Sequence, residues 1–268
     1  MKNILLKVSK IITYLPHVFK VLTILKNPIT FVRGYFHKVD NVICFYNGLR
    51  FKTENQDDIS SISAIFVKSE YGKTIGSKAQ GLTIIDIGAN KGYFTLKAAN
   101  NPLNKVYAYE PIASTFKALE ANISLNQATN VKTYNVGVAR KNEVREFNFS
   151  TDKSIISSMV FTQAGQTKKI PCITLADVFT ENQLATIDLL KMDCEGAEFE
   201  ILYNTTPEVL SKIKVLRMEY HDFESEAETT FNINHLTEYL AKMNFKLVEK
   251  RPASSTLGIA WFENQKQA

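Results

Sequence analysis

Acidic residues are missing from the first 39 positions of this 268-residue chain, where Lys2, Lys7, Lys10, Lys20, Lys26, Arg33 and Lys38 all precede Asp40. The net charge is +5, so the remainder is slightly acidic. A basic surface spread over the whole chain is excluded, and no nucleic-acid partner is expected. Cysteine is scarce: Cys44, Cys172 and Cys194 are far apart and odd in number. That excludes a disulfide framework and a thiolate zinc site, and it suits a reducing compartment. The four histidines form no His-x-x-x-His pair, so an imidazole metal site is also unexpected. No apolar run approaches the roughly 20 residues of a membrane span, and no small-x-small cleavage site follows a signal-like core. There is no internal repeat and no low-complexity tract. These absences together predict a cytoplasmic protein.

What is present begins with the basic segment itself. Ile4, Leu5, Val8, Ile11, Ile12, Leu15, Phe19, Val21, Leu22 and Leu25 recur close to helical spacing, interrupted at Pro16. Residues 1–38 therefore read either as a helical cap or as an amphipathic segment lying on the inner membrane surface. The pattern divides the chain into a basic helical extension (1–40), a lead-in of hairpin and helix (41–80), and a main domain (81–263). In the lead-in, Asn41 to Phe45 and Leu49 to Thr53 flank an Asn-Gly turn, and a helix opens at Asp57.

From Leu82 onward, strand and helix signals alternate as in an α/β sheet. Strands are expected at Thr83–Ile87, Val106–Tyr109, Val131–Val136, Ile187–Met192 and Val215–Tyr220, with helices over Tyr93–Asn100, Ser114–Leu125 and Ile233–Met243. A polar interruption over Lys141–Thr167 holds a short strand at Val144–Phe149 and the stretch Ser154–Ser158. Phe245–Glu249 and Gly258–Phe262 read as a closing hairpin that puts a reversed strand at the sheet edge.

The stretch TIIDIGANKGYFTL, Thr83 to Leu96, sets two glycines on a strand-to-helix turn. Glycine there allows close backbone approach to a ligand, and free N–H groups at the helix start favour its oxygens. The order Gly88-Ala89-Asn90-Lys91-Gly92 fails the dinucleotide pattern, which needs a third glycine. Asp86 would repel a pyrophosphate but could receive an ammonium, directly or through water. Glu110, at the tip of the next strand and about 20 residues beyond Gly88, is placed to accept ribose hydroxyls. This is the signature expected for S-adenosyl-L-methionine.

A second cluster follows the fourth strand in DLLKMDCEGAEFEIL, Asp188 to Leu202. Ligands of open α/β sheets sit at the carboxyl ends of the strands, so Asp193 should face the same crevice as Gly88. Glu195 and Glu198 join it as candidates, with capping of the following helix as the alternative reading for both. On the fifth strand, alternation puts Glu219 and His221 on one face and Tyr220 on the other. His221 is a candidate general base. Asp193, Glu195 and Glu219 do not by themselves make a metal site, and none is assigned.

The runs Ile85 to Thr95, Tyr109-Glu110-Pro111, Asp188 to Glu198 and the strand-five Glu219 together resemble the FkbM family of S-adenosylmethionine-dependent methyltransferases, across about Phe45 to Phe262. The resemblance implies a class I methyltransferase, Rossmann-like sheet of seven strands with a reversed last strand. It also implies O-methylation of a hydroxylated small molecule or glycan, and cofactor contacts from Asp86, Gly88, Asn90, Gly92 and Glu110. The rival readings are a nicotinamide-dependent oxidoreductase and a non-catalytic binding protein of the same fold.

Overall fold

The computed structural model describes residues 16–37, 40–72, 81–149, 166–223 and 230–267. Ile4 to Leu15 of the basic segment and the Ser154–Ser158 stretch lie outside them. The chain forms two compact units, one of residues up to Lys73 together with Ala121–Gln127, the other of Thr74–Glu120 and Ala128 onward.

In the first unit, residues 16–24 are helical, and α1 (Pro28–Gly34) starts with proline at its first turn, where no N–H partner is lost. Strands β1 (Asn41–Cys44) and β2 (Arg50–Thr53) pair antiparallel around the Asn-Gly turn, where Gly48 takes φ +94°. Helix α2 (Gln56–Ile62) is opened by an Asn55–Asp58 capping box, and its last turn widens into a π-helical segment, Ser63–Lys68. Phe45, Phe51 and Phe66 meet ring to ring at the centre. The free N–H groups of β2 are answered by Asn126, which accepts from Arg50, and Asn122, which accepts from Lys52.

The second unit is built on a seven-stranded sheet. Its strands in chain order are β3 (Thr83–Ile87), β4 (Lys105–Tyr109), β5 (Val131–Tyr134), β9 (Ile187–Met192), β10 (Ile213–His221), β11 (Phe245–Pro252) and β12 (Leu257–Asn264). They lie in the order β11-β12-β10-β9-β3-β4-β5. Strands β3, β4, β5, β9 and β10 run parallel, while β12 runs antiparallel to both β10 and β11. The closing hairpin thus forms one edge, with the reversed strand second from it. Helices α3 (Tyr93–Ala99), α4 (Ala113–Asn126), α5 (Leu175–Glu181), α6 (Glu198–Tyr203), α7 (Pro207–Ser211) and α8 (Ile233–Lys242) complete the alternation.

The apolar runs of β3 and β9 read as continuous hydrophobics because both faces of these central strands are covered. Ile84, Ile85, Ile187, Leu190 and Met192 are all buried. The expected Val144–Phe149 strand is β7 (Glu143–Phe149), and with two strands that sequence patterning did not mark, β6 (Gly137–Val138) and β8 (Gln166–Ile173), it forms a separate small sheet in the order β6-β8-β7. Arg145 of β7 forks onto Glu200 of α6, one arm at 3.0 Å, and ties that sheet to the helix beside the site.

Candidate active site

Strand β3 delivers the chain to the glycine turn with Asp86 pointing into the protein. Past Ile87 the backbone takes left-handed conformations at Gly88 (φ +73°), Asn90 (φ +50°) and Gly92 (φ +86°). A Cβ on Gly88 would stand 1.8 Å from the Asp193 carbonyl oxygen, and one on Gly92 would stand 2.5 Å from Leu119 Cδ1. The glycines are therefore needed for chain-on-chain packing inside the turn, rather than for a ligand's approach at those two atoms. The turn's donors are likewise engaged. Gly88 N and Ala89 N both donate to Tyr109 O at 3.0 Å, and Gly92 N donates to Ala89 O. Asn90 N donates to Glu110 Oε2 at 2.9 Å, and Lys91 N to Asn90 Oδ1. The N–H groups of the turn itself are thus satisfied by the protein's own oxygens, ahead of the helix start at Tyr93.

Glu110 sits at the tip of β4, where its second oxygen accepts from Ile112 N at 2.9 Å. Burial raises its pKa and the two backbone N–H groups oppose it, leaving it at about 7. Each carboxylate oxygen retains a lone pair beyond its backbone bond, as a hydroxyl-binding acid requires.

Register explains the acids on the neighbouring strands. Asp86 of β3 is the lateral partner of Lys191 of β9, and Ile87 of Met192. Side by side on one face, Lys191 Nζ lies 3.1 Å from Asp86 Oδ1 and donates to Gly88 O at 2.8 Å. Thr95 donates its hydroxyl to the other Asp86 oxygen at 2.5 Å. Asp86 is fully buried, so the ammonium it receives is the internal one of Lys191. Burial pushes the Lys191 pKa down, but Asp86 and Asp193 outweigh it and the amine stays charged.

One level up the sheet, Asp193 N donates to Ile87 O at 3.1 Å, which lays the post-β9 loop over Gly88. Continuing the β9–β10 register one step past Met192–Met218 sets Glu219 opposite Asp193, and the two carboxyls share a hydrogen bond. Burial, then the Asp193 charge, holds Glu219 well above the usual carboxylate range, so the pair keeps a proton at neutral pH.

The loop then turns through Glu195 (φ +53°) and Gly196 (φ +102°). Glu198, wholly buried, holds this turn by accepting from Cys194 N at 2.6 Å and Gly196 N at 2.9 Å. His221 closes the cluster, with Nε2 3.5 Å from Glu195 Oε2 and Nδ1 3.5 Å from Glu198 Oε1. Burial lowers its pKa, but the neighbouring carboxylates, Glu198 first and then Glu195, raise it to about 9. At neutral pH it is a cation, the wrong form for a general base. Glu195 is raised by burial and by Asp193 to about 7. Its side chain is 36% exposed and that of Asp193 28%, so both reach the crevice.

The structure thus gathers Asp193, Glu195, Glu219 and His221 beside the glycine turn and sets Glu110 on its other side. Lys191 was given no role from sequence, where Glu198 reads as a rim acid or a helix cap. A lysine inside the apolar run Leu-Leu-Lys-Met was the available signal, because a charge in a buried strand requires a buried counter-charge. Among the described residues no three His, Cys, Asp or Glu side chains group closely enough to hold a metal ion.

A parallel sheet of this order, with its glycine turn after the central strand, an acid at the next strand tip and one reversed strand, defines a Rossmann-like class I methyltransferase. The Methyltransferase FkbM domain pattern matches residues 86–247, more than half of the chain, which belongs to that family. The methyl donor is S-adenosylmethionine, and Glu110, which keeps a lone pair on each carboxylate oxygen beyond its backbone bonds, has the chemistry to accept that molecule's hydroxyls. Among curated relatives, the chain is 23% identical over 227 residues to the AMB antimetabolite synthetase AmbE of Pseudomonas aeruginosa, covering 70% of this chain but only 11% of that protein. It is 24% identical over 190 residues to Methyltransferase 1 of Beauveria bassiana, covering 63% of this chain and 74% of that one. A solved SAM-dependent methyltransferase from Agrobacterium tumefaciens aligns with a TM-score of 0.45 at 10% identity, over 84% of this chain and 70% of the other.

Proposed function

We propose that this methyltransferase acts on a hydroxyl oxygen of a small-molecule or carbohydrate-containing acceptor. The observation that carries the reading is the acid wall of Asp193, Glu195 and Glu219 beside the glycine turn, with Glu195 poised at about 7. Carboxyl groups in this number hydrogen-bond the hydroxyls of a polyol, and they repel a phosphate backbone, which disfavours nucleic acid as acceptor.

S-adenosylmethionine supplies an electrophilic methyl group on sulfonium. Glu110 and the Gly88–Gly92 turn hold the cofactor, and the Asp193–Glu219 pair orients the acceptor. Glu195 would take the proton of the acceptor's hydroxyl, with the bound cofactor supplying the methyl group. His221, a cation beside Glu195, keeps that carboxylate ionised until the proton arrives. The three cysteines are unpaired, which fits a cytoplasmic setting.

Incubation with S-adenosylmethionine and a panel of hydroxylated acceptors should yield S-adenosylhomocysteine and an O-methyl ether detectable by mass spectrometry. Methyl groups found only on nitrogen or carbon would refute the assignment.

A further inference from the structure

Eleven large apolar side chains are exposed among the described residues, and eight of them fall between Val18 and Tyr46 in the first unit. Such crowding on one short stretch is unlike scattered surface apolars, which need no explanation. In the helix over residues 16–24, Val18, Phe19 and Leu22 fall within an arc of about 100°, and they are 53%, 70% and 55% exposed. On α1, Ile29 (76%) and Val32 (49%) share one side, and Phe36 (76%) continues it just past the helix end. The core-facing side is already occupied. Leu25 and Phe31 are buried, and Gly34 is pressed against Ile59, so these outward residues do not complete the unit's own core.

Charge indicates what covers them. Lys26 and Arg33 are exposed beside these apolar side chains, and no acid occurs in the chain before Asp40. Apolar side chains flanked by cations in a stretch of chain that carries no acid match the acyl boundary and headgroups of an anionic bilayer. Among the described residues no helix is long and apolar enough to cross a membrane, so the fit is to its surface.

We propose that residues 16–37 dock the first unit on an anionic lipid surface. The phenylalanines enter the acyl boundary, and Lys26 and Arg33 meet the headgroups. This stands independently of the methyl acceptor.

Flotation of the full chain with vesicles of phosphatidylcholine, alone or mixed with phosphatidylglycerol, tests it. Binding to the mixed vesicles is expected, weakening as salt rises. The doubly substituted Phe19→Ser/Phe36→Ser chain and the Lys26→Glu/Arg33→Glu chain should each bind at least about tenfold more weakly. Retained affinity for S-adenosylhomocysteine will show that each variant is folded. Full chain that floats with neither vesicle, or equally with both at every salt concentration, overturns the proposal. So does a concentration-dependent dimer that the phenylalanine substitutions disperse in the absence of vesicle binding, since the face would then be a self-interface.

Discussion

Lys191 Nζ stands 3.1 Å from Asp86 Oδ1 and 3.7 Å from Asp193 Oδ2, with the lysine and Asp86 both buried. One ammonium thereby joins the strand beneath the cofactor turn to the loop that carries the acceptor acids. Lys191→Met strands Asp86 as an uncompensated buried charge, and urea denaturation should register a loss of about 3–5 kcal/mol. Adding Asp86→Asn should recover much of it. A single-variant loss below about 1 kcal/mol would mean that the pair contributes no more than a surface bridge.

Gly88→Ala tests the packing of the turn. Its Cβ would collide with the Asp193 backbone at a φ that L side chains rarely adopt. The variant should lose S-adenosylhomocysteine affinity by at least about tenfold in calorimetry, because the Asp193 loop must move. Unchanged affinity would show that the loop yields freely.

Glu110 links cofactor affinity to pH. A carboxylate accepts ribose hydroxyls better than a neutral acid, and the group ionises at about 7. Affinity for S-adenosylhomocysteine should therefore rise with pH through that value and level above it. Glu110→Ala should cost about 1–3 kcal/mol and leave a flat profile. A slope that survives the substitution assigns the ionisation elsewhere.

The pH dependence of kcat/KM for the acceptor, measured with S-adenosylmethionine saturating at every pH, distinguishes the two proton acceptors. A base must be deprotonated, so with Glu195 the rate climbs to about pH 7 and then holds. With His221 it would keep climbing to about 9. The first profile is expected, and it should disappear in Glu195→Gln.

Glu198→Gln should pull the His221 pKa down from about 9, as followed by NMR titration, because the leading contributor to its rise is removed. The sign carries over to stability. A histidine whose folded pKa is raised contributes stability that is complete below about 6.5 and lost as pH rises through about 9. Denaturation at pH 6 and pH 10 should differ less in the variant than in the parent. An unmoved His221 titration would remove Glu198 as its partner.

The parts of the site legible in sequence were those written in local spacing. Gly88, Asn90, Gly92 and Glu110 fall within one strand-helix-strand unit, and the β1–β2 hairpin was marked by Asn47-Gly48. What escaped depends on lateral register between distant strands. Asp86 meets Lys191 only because β9 inserts beside β3, and Asp193 meets Glu219 only because β10 lies beyond it. The protonation of His221 follows from Glu195 and Glu198 closing on it from another element, so a free-histidine pKa misled. Strand β8 was hidden because Lys168, Lys169 and Pro171 break its alternation, although it pairs β7 along its length.

The reversed strand β12 has a consequence for the order of assembly. It pairs with β10 from Val215 to His221 and is the last strand of the sheet to be made. On a growing chain, the glycine turn, Glu110 and the Lys191–Asp193 segment that packs on the turn are all made by the end of β9, whereas the strand of Glu219 and His221 lacks its outer neighbour until β12 follows. The acceptor wall of Glu219 and His221 is therefore the part of the site whose completion waits on the final strand.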